Sequence, residues 1–73
     1  MNTARTRVAD RIRAAMEAKG ENPNSLATKT LIPRVTILRK LEGAAAFNID
    51  ELDAIGAVLD VAPEELVRKD DAA

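Results

Sequence analysis

Two arginines five residues apart, Arg34 and Arg39, lie in a short segment whose apolar spacing indicates a helix. Ile37 and Leu41 are four apart and face inward together. Four side chains are then left on the outer side: Arg34, Val35, Leu38 and Arg39. The guanidinium groups can each donate two hydrogen bonds to O6 and N7 of guanine, and the apolar pair can contact a thymine methyl group. The plainer interpretations are surface charge for the arginines and a place at the core edge for the leucine.

A second short helix is predicted directly before this one. Asn22 suits the N-cap, and Pro23 suits the first helical position, where a missing N–H costs nothing. This helix ends by Thr30–Leu31, because Pro33 disfavours the α conformation in the residue before it. The next helix begins at that proline or at the following arginine, and Gly43 ends it. Two short helices joined by a tight turn are the pattern of a helix-turn-helix, whose second helix enters the DNA major groove.

Composition limits the other possibilities. The 73 residues make one domain, and the absence of Cys and His removes thiol catalysis, disulfides and the common zinc sites. The single aromatic residue, Phe47, argues against base stacking on single strands. No glycine-rich phosphate loop is present, and the paired carboxylates at Glu64-Glu65 and Asp70-Asp71 fall at a helix start and in a tail. No apolar run approaches a membrane span of about 20 residues. We therefore expect a cytoplasmic protein that is not an enzyme and needs no cofactor.

Charge is distributed unevenly along the chain, although the net charge is only −1. Residues 1–43 hold nine Lys/Arg and four Asp/Glu, whereas residues 44–73 hold two and eight. The basic half contains the predicted helix pair, and such asymmetry points to nucleic acid. The simpler explanation is two solvated faces of opposite charge. Charge alone therefore does not decide between this explanation and nucleic-acid binding.

Three further helices complete the chain. Val8, Ile12 and Met16 predict a first helix that runs to about Lys19, after a basic arm over residues 1–6 or a helix start within it. Asn48 and Glu51 form a capping box for a fourth helix, which starts at Ile49 and runs to about Asp60 along an apolar stripe. The stripe comprises Leu52, Ile55, Val58 and Leu59. A short fifth helix begins at Ala62-Pro63, with Leu66 and Val67 closing the core, and residues 68–73 are expected to be a disordered tail.

Over residues 7–67 the chain resembles the λ-repressor-like, Cro-type helix-turn-helix domains, often called the XRE family. The residues that carry the resemblance are Ser25-Leu26-Ala27, Ile32, Thr36-Ile37, Arg39, Gly43 and the stretch Phe47 to Val61. The resemblance implies an all-α, compact five-helix domain whose helix-turn-helix is formed by helices 2 and 3. Leu31 departs from the family at the turn position that is usually Gly. A positive φ there would cost about 1 kcal/mol or more, unless the turn is remodelled around Pro33. The loop Ala44 to Ala46 also lacks the basic residue often found there.

The resemblance places the outer residues of the third helix, Arg34, Val35, Leu38 and Arg39, against base edges. Phosphates are the expected partners of Asn22, Asn24, Ser25, Lys29, Thr36 and Lys40. For Asn22, capping alone is the simpler role, and both roles are compatible. Arg5 and Arg7 are expected to reach phosphates or a minor groove, as basic arms do. Arg11 and Arg13 are interpreted as ordinary solubilising charge.

The expected function is sequence-specific binding to double-stranded DNA by a small transcriptional repressor, similar to a phage Cro protein. Members of this family usually pair, which sets two recognition helices about 34 Å apart on a palindromic operator. We expect a homodimer on DNA, in contact around the fourth and fifth helices, and leave open whether the free protein is a monomer. The alternative is a protein-interaction module on the same fold, such as an antitoxin or regulatory subunit.

Overall fold

A computed structural model describes residues 3–68 and shows five helices in that range. The helices are α1 (Ala4–Lys19), α2 (Pro23–Thr30), α3 (Arg34–Leu41), α4 (Ile49–Leu59) and α5 (Pro63–Val67). No strand occurs within residues 3–68. The predicted all-α, five-helix architecture is therefore confirmed, with α2 and α3 as the helix-turn-helix. None of these helices is both long enough and apolar enough to cross a membrane.

One core receives side chains from all five helices. Its buried residues are Val8, Ala9, Ile12 and Met16 of α1, Leu26 of α2, Ile37 and Leu41 of α3, Leu52, Ile55 and Leu59 of α4, and Leu66 of α5. The predicted inward stripes of α1, α3 and α4 all contribute to it. Val67, which was expected to help close the core, is instead 43% exposed, so Leu66 alone fills that place from α5.

Two capping boxes fix where α2 and α4 begin. At α4, Asn48 accepts a hydrogen bond from the Glu51 N–H at 2.7 Å, and the Glu51 carboxylate accepts one from the Asn48 N–H at 2.8 Å. At α2, Asn22 and Ser25 exchange the same pair of bonds at 2.9 and 3.0 Å. The sequence predicted the capping box of α4 in full. For α2 it predicted only the cap, because serine is a less common partner than glutamate at this position.

The turn between α2 and α3 is tight and left-handed at its first residue. Leu31 has φ 62° and ψ 24°, and its N–H donates to the Ala27 carbonyl at 2.9 Å. The chain thus retains the conformation that a glycine would adopt most readily, rather than remodelling the turn around Pro33. Leu31 is 89% exposed and does not pack into the core.

Residues 4–6 belong to the first helix and not to an arm. Thr3 caps α1 by accepting a hydrogen bond from the Thr6 N–H, so residues 4–6 are helical and Arg5 lies in the first turn. This agrees with the alternative of a helix start within residues 1–6. At the other end Arg68 is extended. The rest of the expected disordered tail, residues 69–73, lies outside the described residues.

Candidate nucleic-acid interface

The orientation of α3 follows from the two side chains that anchor it. Ile37 and Leu41 are buried in the core, which turns the opposite side of the helix toward solvent. Val35 and Arg39 are exposed there, with Val35 at 64%, and Arg34 is exposed at the first position of α3, whereas Leu38 is half-buried. The four side chains predicted to meet bases therefore include three that are open to a partner. Leu38 is only half-buried, so its exposure does not decide between the two roles that the sequence left open, a place at the core edge and a contact with the groove.

Pairing divides the four cations of the helix pair into two classes. Lys29 and Lys40 each form an ion pair with a glutamate at 2.6 Å. Within residues 3–68, by contrast, neither Arg34 nor Arg39 makes an ion pair or a side-chain hydrogen bond. The two planar guanidinium groups are thus available, while the two ammonium groups already have partners inside the fold.

Lys40 joins α3 to the start of α4. Its ammonium group contacts both carboxylate oxygens of Glu51, at 2.6 and 2.8 Å, and the two side chains are only 16% and 13% exposed. Burial raises the pKa of Glu51, but hydrogen bonds from Lys40 and the Asn48 N–H outweigh that effect and hold the pKa below its usual value. A phosphate contact by Lys40, as predicted from the sequence, would require this pair to open or to be shared.

Lys29, in the last turn of α2, takes part in a similar but more exposed cluster with Glu21 and Ser25. Its ammonium group lies 2.6 Å from Glu21, which also accepts a hydrogen bond from the Ser25 hydroxyl at 2.5 Å. Hydrogen bonds from Lys29 and then from Ser25 lower the pKa of Glu21. The Lys29 side chain remains 54% exposed. Because of that exposure it can reach a second anion without leaving the surface of α2.

The N-termini of α2 and α3 differ in how their free N–H groups are satisfied. At α2 the side chains of Asn22 and Ser25 act as caps, and Asn24 is exposed beside them. At α3 the cap position is Pro33, and no side chain among the described residues accepts a hydrogen bond there. Thr36 is half-buried in the first turn of α3. The first turn of α3 therefore presents N–H groups and the positive end of its helix dipole, an arrangement that favours an anion.

Arg5 lies closer to the helix pair than its position in the sequence suggests. It borders an open hollow whose other side is formed by Glu42 and Gly43, at the end of α3. Arg7 is half-buried, and its Nε atom is buried without a hydrogen-bond partner in the described part of the chain. Both arginines also line a smaller, mostly apolar hollow of about 190 Å³ beside Phe47. Arg5 is thus the better placed of the two to contact an anion near α3.

Arg11 and Arg13 differ from each other, although the sequence gave both the same interpretation. Arg11 donates a hydrogen bond from Nη1 to the Glu65 carbonyl at 2.7 Å, which ties α1 to α5. Arg13 is exposed on α1. Arg11 therefore has a structural role that the sequence did not indicate, since its partner lies 54 positions away.

Charge is segregated more sharply than the two halves of the sequence showed. Residues 22–41, which include α2, the turn and α3, carry four cations and no acidic residue. Five exposed acidic residues lie on α4, α5 and the segment between them: Asp50, Asp53, Asp60, Glu64 and Glu65. Glu51 is the half-buried exception, because it faces Lys40. The helix pair forms the part of the surface that best complements a polyanion.

Sequence reasoning missed two features of this region. The Lys40–Glu51 pair was not expected, because the capping signature at Asn48 accounts for Glu51 without any tertiary partner. Leu31 was identified only as a site of strain, and its nearly complete exposure became visible in the structure. A leucine in a place that favours glycine was the available indication that this side chain could have its own role.

Comparison with known proteins agrees with this geometry. Residues 11–71 match the model of the Cro/C1-type helix-turn-helix DNA-binding domain, which includes the whole helix pair and all of α4 and α5. No curated protein and no solved structure gives a match to the chain. The family is a DNA-binding one, which agrees with the exposed arginines of α3 and with the absence of acidic residues from positions 22–41. The chain belongs to the Cro/C1-type helix-turn-helix DNA-binding domains.

Proposed function

We propose that this domain binds a specific site in double-stranded DNA through the outer face of α3 and represses transcription from that site. The observation that supports this most directly is the state of the four cations. Arg34 and Arg39 are exposed on α3 and make no ion pair within residues 3–68, while the neighbouring lysines are neutralised by glutamates. Unpaired, exposed guanidinium groups are what bidentate contact with guanine requires.

Base contacts are assigned to the outer side of α3. Arg34 and Arg39 would each donate two hydrogen bonds to one guanine, and Val35 would contact a thymine methyl group. Leu38 would contact the groove with the part of its side chain that remains exposed. Each bidentate arginine contact is worth about 1–3 kcal/mol of discrimination against the wrong base.

Phosphate contacts are assigned to the borders of the helix pair, where they would fix the position of α3 without selecting bases. The proposed contacts are Asn22, Asn24, Ser25, Lys29, Thr36, Lys40, Arg5 and Arg7. Lys29 and Arg5 are the strongest members of this set, because they are its exposed cations. Arg5 lies beside the end of α3 and can supply the positive charge that the loop after α3 lacks.

A homodimer on the DNA is the proposed state of assembly. Two exposed apolar side chains on α4 and α5, Ile49 at 76% and Val67 at 43%, would offset the acidic charge around them at the contact. Two domains related by a two-fold axis place their α3 helices about one helical turn apart, roughly 34 Å. The operator would then be a palindrome, as in the phage Cro type of repressor that the chain resembles.

Selection from a pool of random duplexes, followed by sequencing and a salt titration of the enriched sites, tests this proposal. We expect a short palindrome, an affinity that falls steeply with salt, and two protein chains per duplex by sedimentation. A reporter promoter that carries the enriched site should lose activity when the protein is expressed. Enrichment of no motif, or a reporter that is activated, would contradict the proposed repressor.

A further inference from the structure

Leu31 is the most unusual residue of the helix pair, in both backbone and side chain. Its φ of 62° lies in the left-handed region, where glycine is the favoured residue and a leucine is strained. The residue is 89% exposed, the largest exposed fraction among the exposed large hydrophobic residues of the described chain. Packing therefore does not compensate for the strain, and the fold itself gives no reason for a leucine at this position.

The surroundings of Leu31 favour a nucleic acid as the partner of this side chain. It lies within the acid-free stretch of residues 22–41, between Lys29 and Arg34. Val35, 64% exposed, follows four residues later on α3. Two exposed apolar side chains bordered by cations suit a surface that combines negative charge with apolar groups. In the major groove, the apolar group is the C5-methyl of thymine.

We propose that Leu31 is a specificity-determining residue that contacts a thymine methyl group at the edge of the site bound by α3. This inference rests on the proposed function, because it assumes that α3 lies in the major groove. Leu31 precedes Arg34 by three residues, so their Cα atoms are at most about 11 Å apart. Since bases rise 3.4 Å per step along one strand and the two side chains add to the Cα–Cα distance, the thymine lies within a few base pairs of the guanine that Arg34 contacts.

Replacing thymine by uracil removes only the methyl group, so it isolates this contact. The probe is a duplex selected by the natural protein from a random pool, with each thymine changed to uracil in turn and binding followed by fluorescence anisotropy. Besides the position assigned to Val35, we expect one further position per half-site at which uracil weakens binding by the natural protein about threefold to tenfold. Leu31→Ala should bind the thymine and uracil duplexes equally at that position, with an affinity near that of the natural protein for uracil.

Two further variants separate the contact from an effect on folding. Leu31→Ala keeps a strained residue and removes only an exposed side chain, so its Tm should stay within about 2 °C of the natural value. Leu31→Gly relieves the strain and should show the same loss of sensitivity to the methyl group. Val35→Ala is the matched control on α3, and it should retain the sensitivity at the Leu31 position.

The outcomes distinguish this inference from the proposed function. If the natural protein selects a duplex but Leu31→Ala keeps the full sensitivity to uracil, the Leu31 contact is wrong and the proposed function stands. The same conclusion follows if Leu31→Ala weakens every duplex equally, whether thymine or uracil is present. If no duplex is selected at all, the proposed function fails and this inference fails with it.

Discussion

At the level of single residues, the difference between lysine and arginine organises the candidate interface. The ammonium groups of Lys29 and Lys40 stabilise the fold through Glu21 and Glu51, which need only a compact positive charge. The guanidinium groups of α3 make no such pair within residues 3–68. Arginine offers a planar set of donors that matches two acceptors on one base, so the residue suited to base contact is the one left unpaired.

Arg39→Lys should therefore remove discrimination while keeping the charge. A lysine still attracts the DNA backbone, but it cannot donate two parallel hydrogen bonds to one guanine. We expect the preference for guanine at one position of the selected site to fall by about 1–3 kcal/mol, with little change in the salt dependence. Competition binding with duplexes that carry each of the four bases at that position measures this.

Arg13→Ala is the matched control, because Arg13 is an exposed arginine on α1, outside the helix pair. It should leave the base preference unchanged. Equal losses of base preference in Arg39→Lys and Arg13→Ala would show that Arg39 contributes only general charge.

At the level of the helices, the Glu51 side chain has two structural roles. It completes the capping box of α4, accepts the hydrogen bonds of Lys40, and so links the end of α3 to the start of α4. Glu51→Gln keeps an acceptor for the Asn48 N–H but leaves the largely buried ammonium group without a counter-charge. We expect a loss of about 1–3 kcal/mol in the free energy of unfolding, measured by urea denaturation.

Asp60→Asn provides a comparison with an exposed ion pair. Asp60 lies 3.8 Å from Lys19, its side chain is almost fully exposed, and its left-handed backbone suits asparagine as well as aspartate. The substitution should change stability by less than about 0.5 kcal/mol. A loss as large as that of Glu51→Gln would mean that burial does not decide the strength of these pairs.

Gly56 shows how closely α4 packs against the segment that follows it. A Cβ atom there would clash with the Val61 carbonyl oxygen. Val61 is held in place because its N–H donates a hydrogen bond to the Gly56 carbonyl at 2.9 Å. Alanine gains about 1 kcal/mol of helix propensity over glycine, but the clash with rigid backbone outweighs that gain. Gly56→Ala should therefore destabilise the domain by about 1–2 kcal/mol, seen as a lower Tm.

Ala57→Gly measures the helix propensity of alanine over glycine without a clash, because Ala57 is the next residue of α4 and is exposed. It should cost about 1 kcal/mol. If Gly56→Ala proved stabilising, the segment after α4 would have to be able to move away from the helix.

Sequence patterns predicted the elements well, because their information is local. The capping box at Asn48 and the apolar spacing of α1 and α4 depend on residues within one or two turns. The partners of Lys40 and Arg11 lie 11 and 54 positions away, so only the packed fold shows them. The same holds for the exposure of Leu31, which depends on how α2 and α3 are packed.

Across the whole molecule, two carboxylates make stability depend on pH. The pKa values of Glu21 and Glu51 are both lowered in the folded protein from the ordinary value of 4.5. The folded state thus favours the ionised forms, and the unfolded state binds more protons between the unfolded and folded pKa values. Their contribution to stability is present above about pH 4.5 and is lost as the pH falls below it.

Thermal unfolding at a series of pH values between 3 and 7 measures this effect. We expect the Tm to fall on the acid side of about pH 4.5, and Glu51→Gln to show a shallower decline because one of the two groups is removed. Identical declines for the natural protein and the variant would exclude a contribution of Glu51 to the acid sensitivity.

The molecule is divided into a helix pair without acidic residues and the acidic helices α4 and α5, so DNA should contact the helix pair alone. The most direct test is a ¹⁵N-NMR titration of the natural protein with its selected duplex. We expect the largest shifts within residues 22–41 and near Arg5, while the exposed acidic residues of α4 and α5 change little. Shifts concentrated on α4 and α5, or no shifts with duplex DNA, would contradict it and favour an interaction module that binds a basic protein partner.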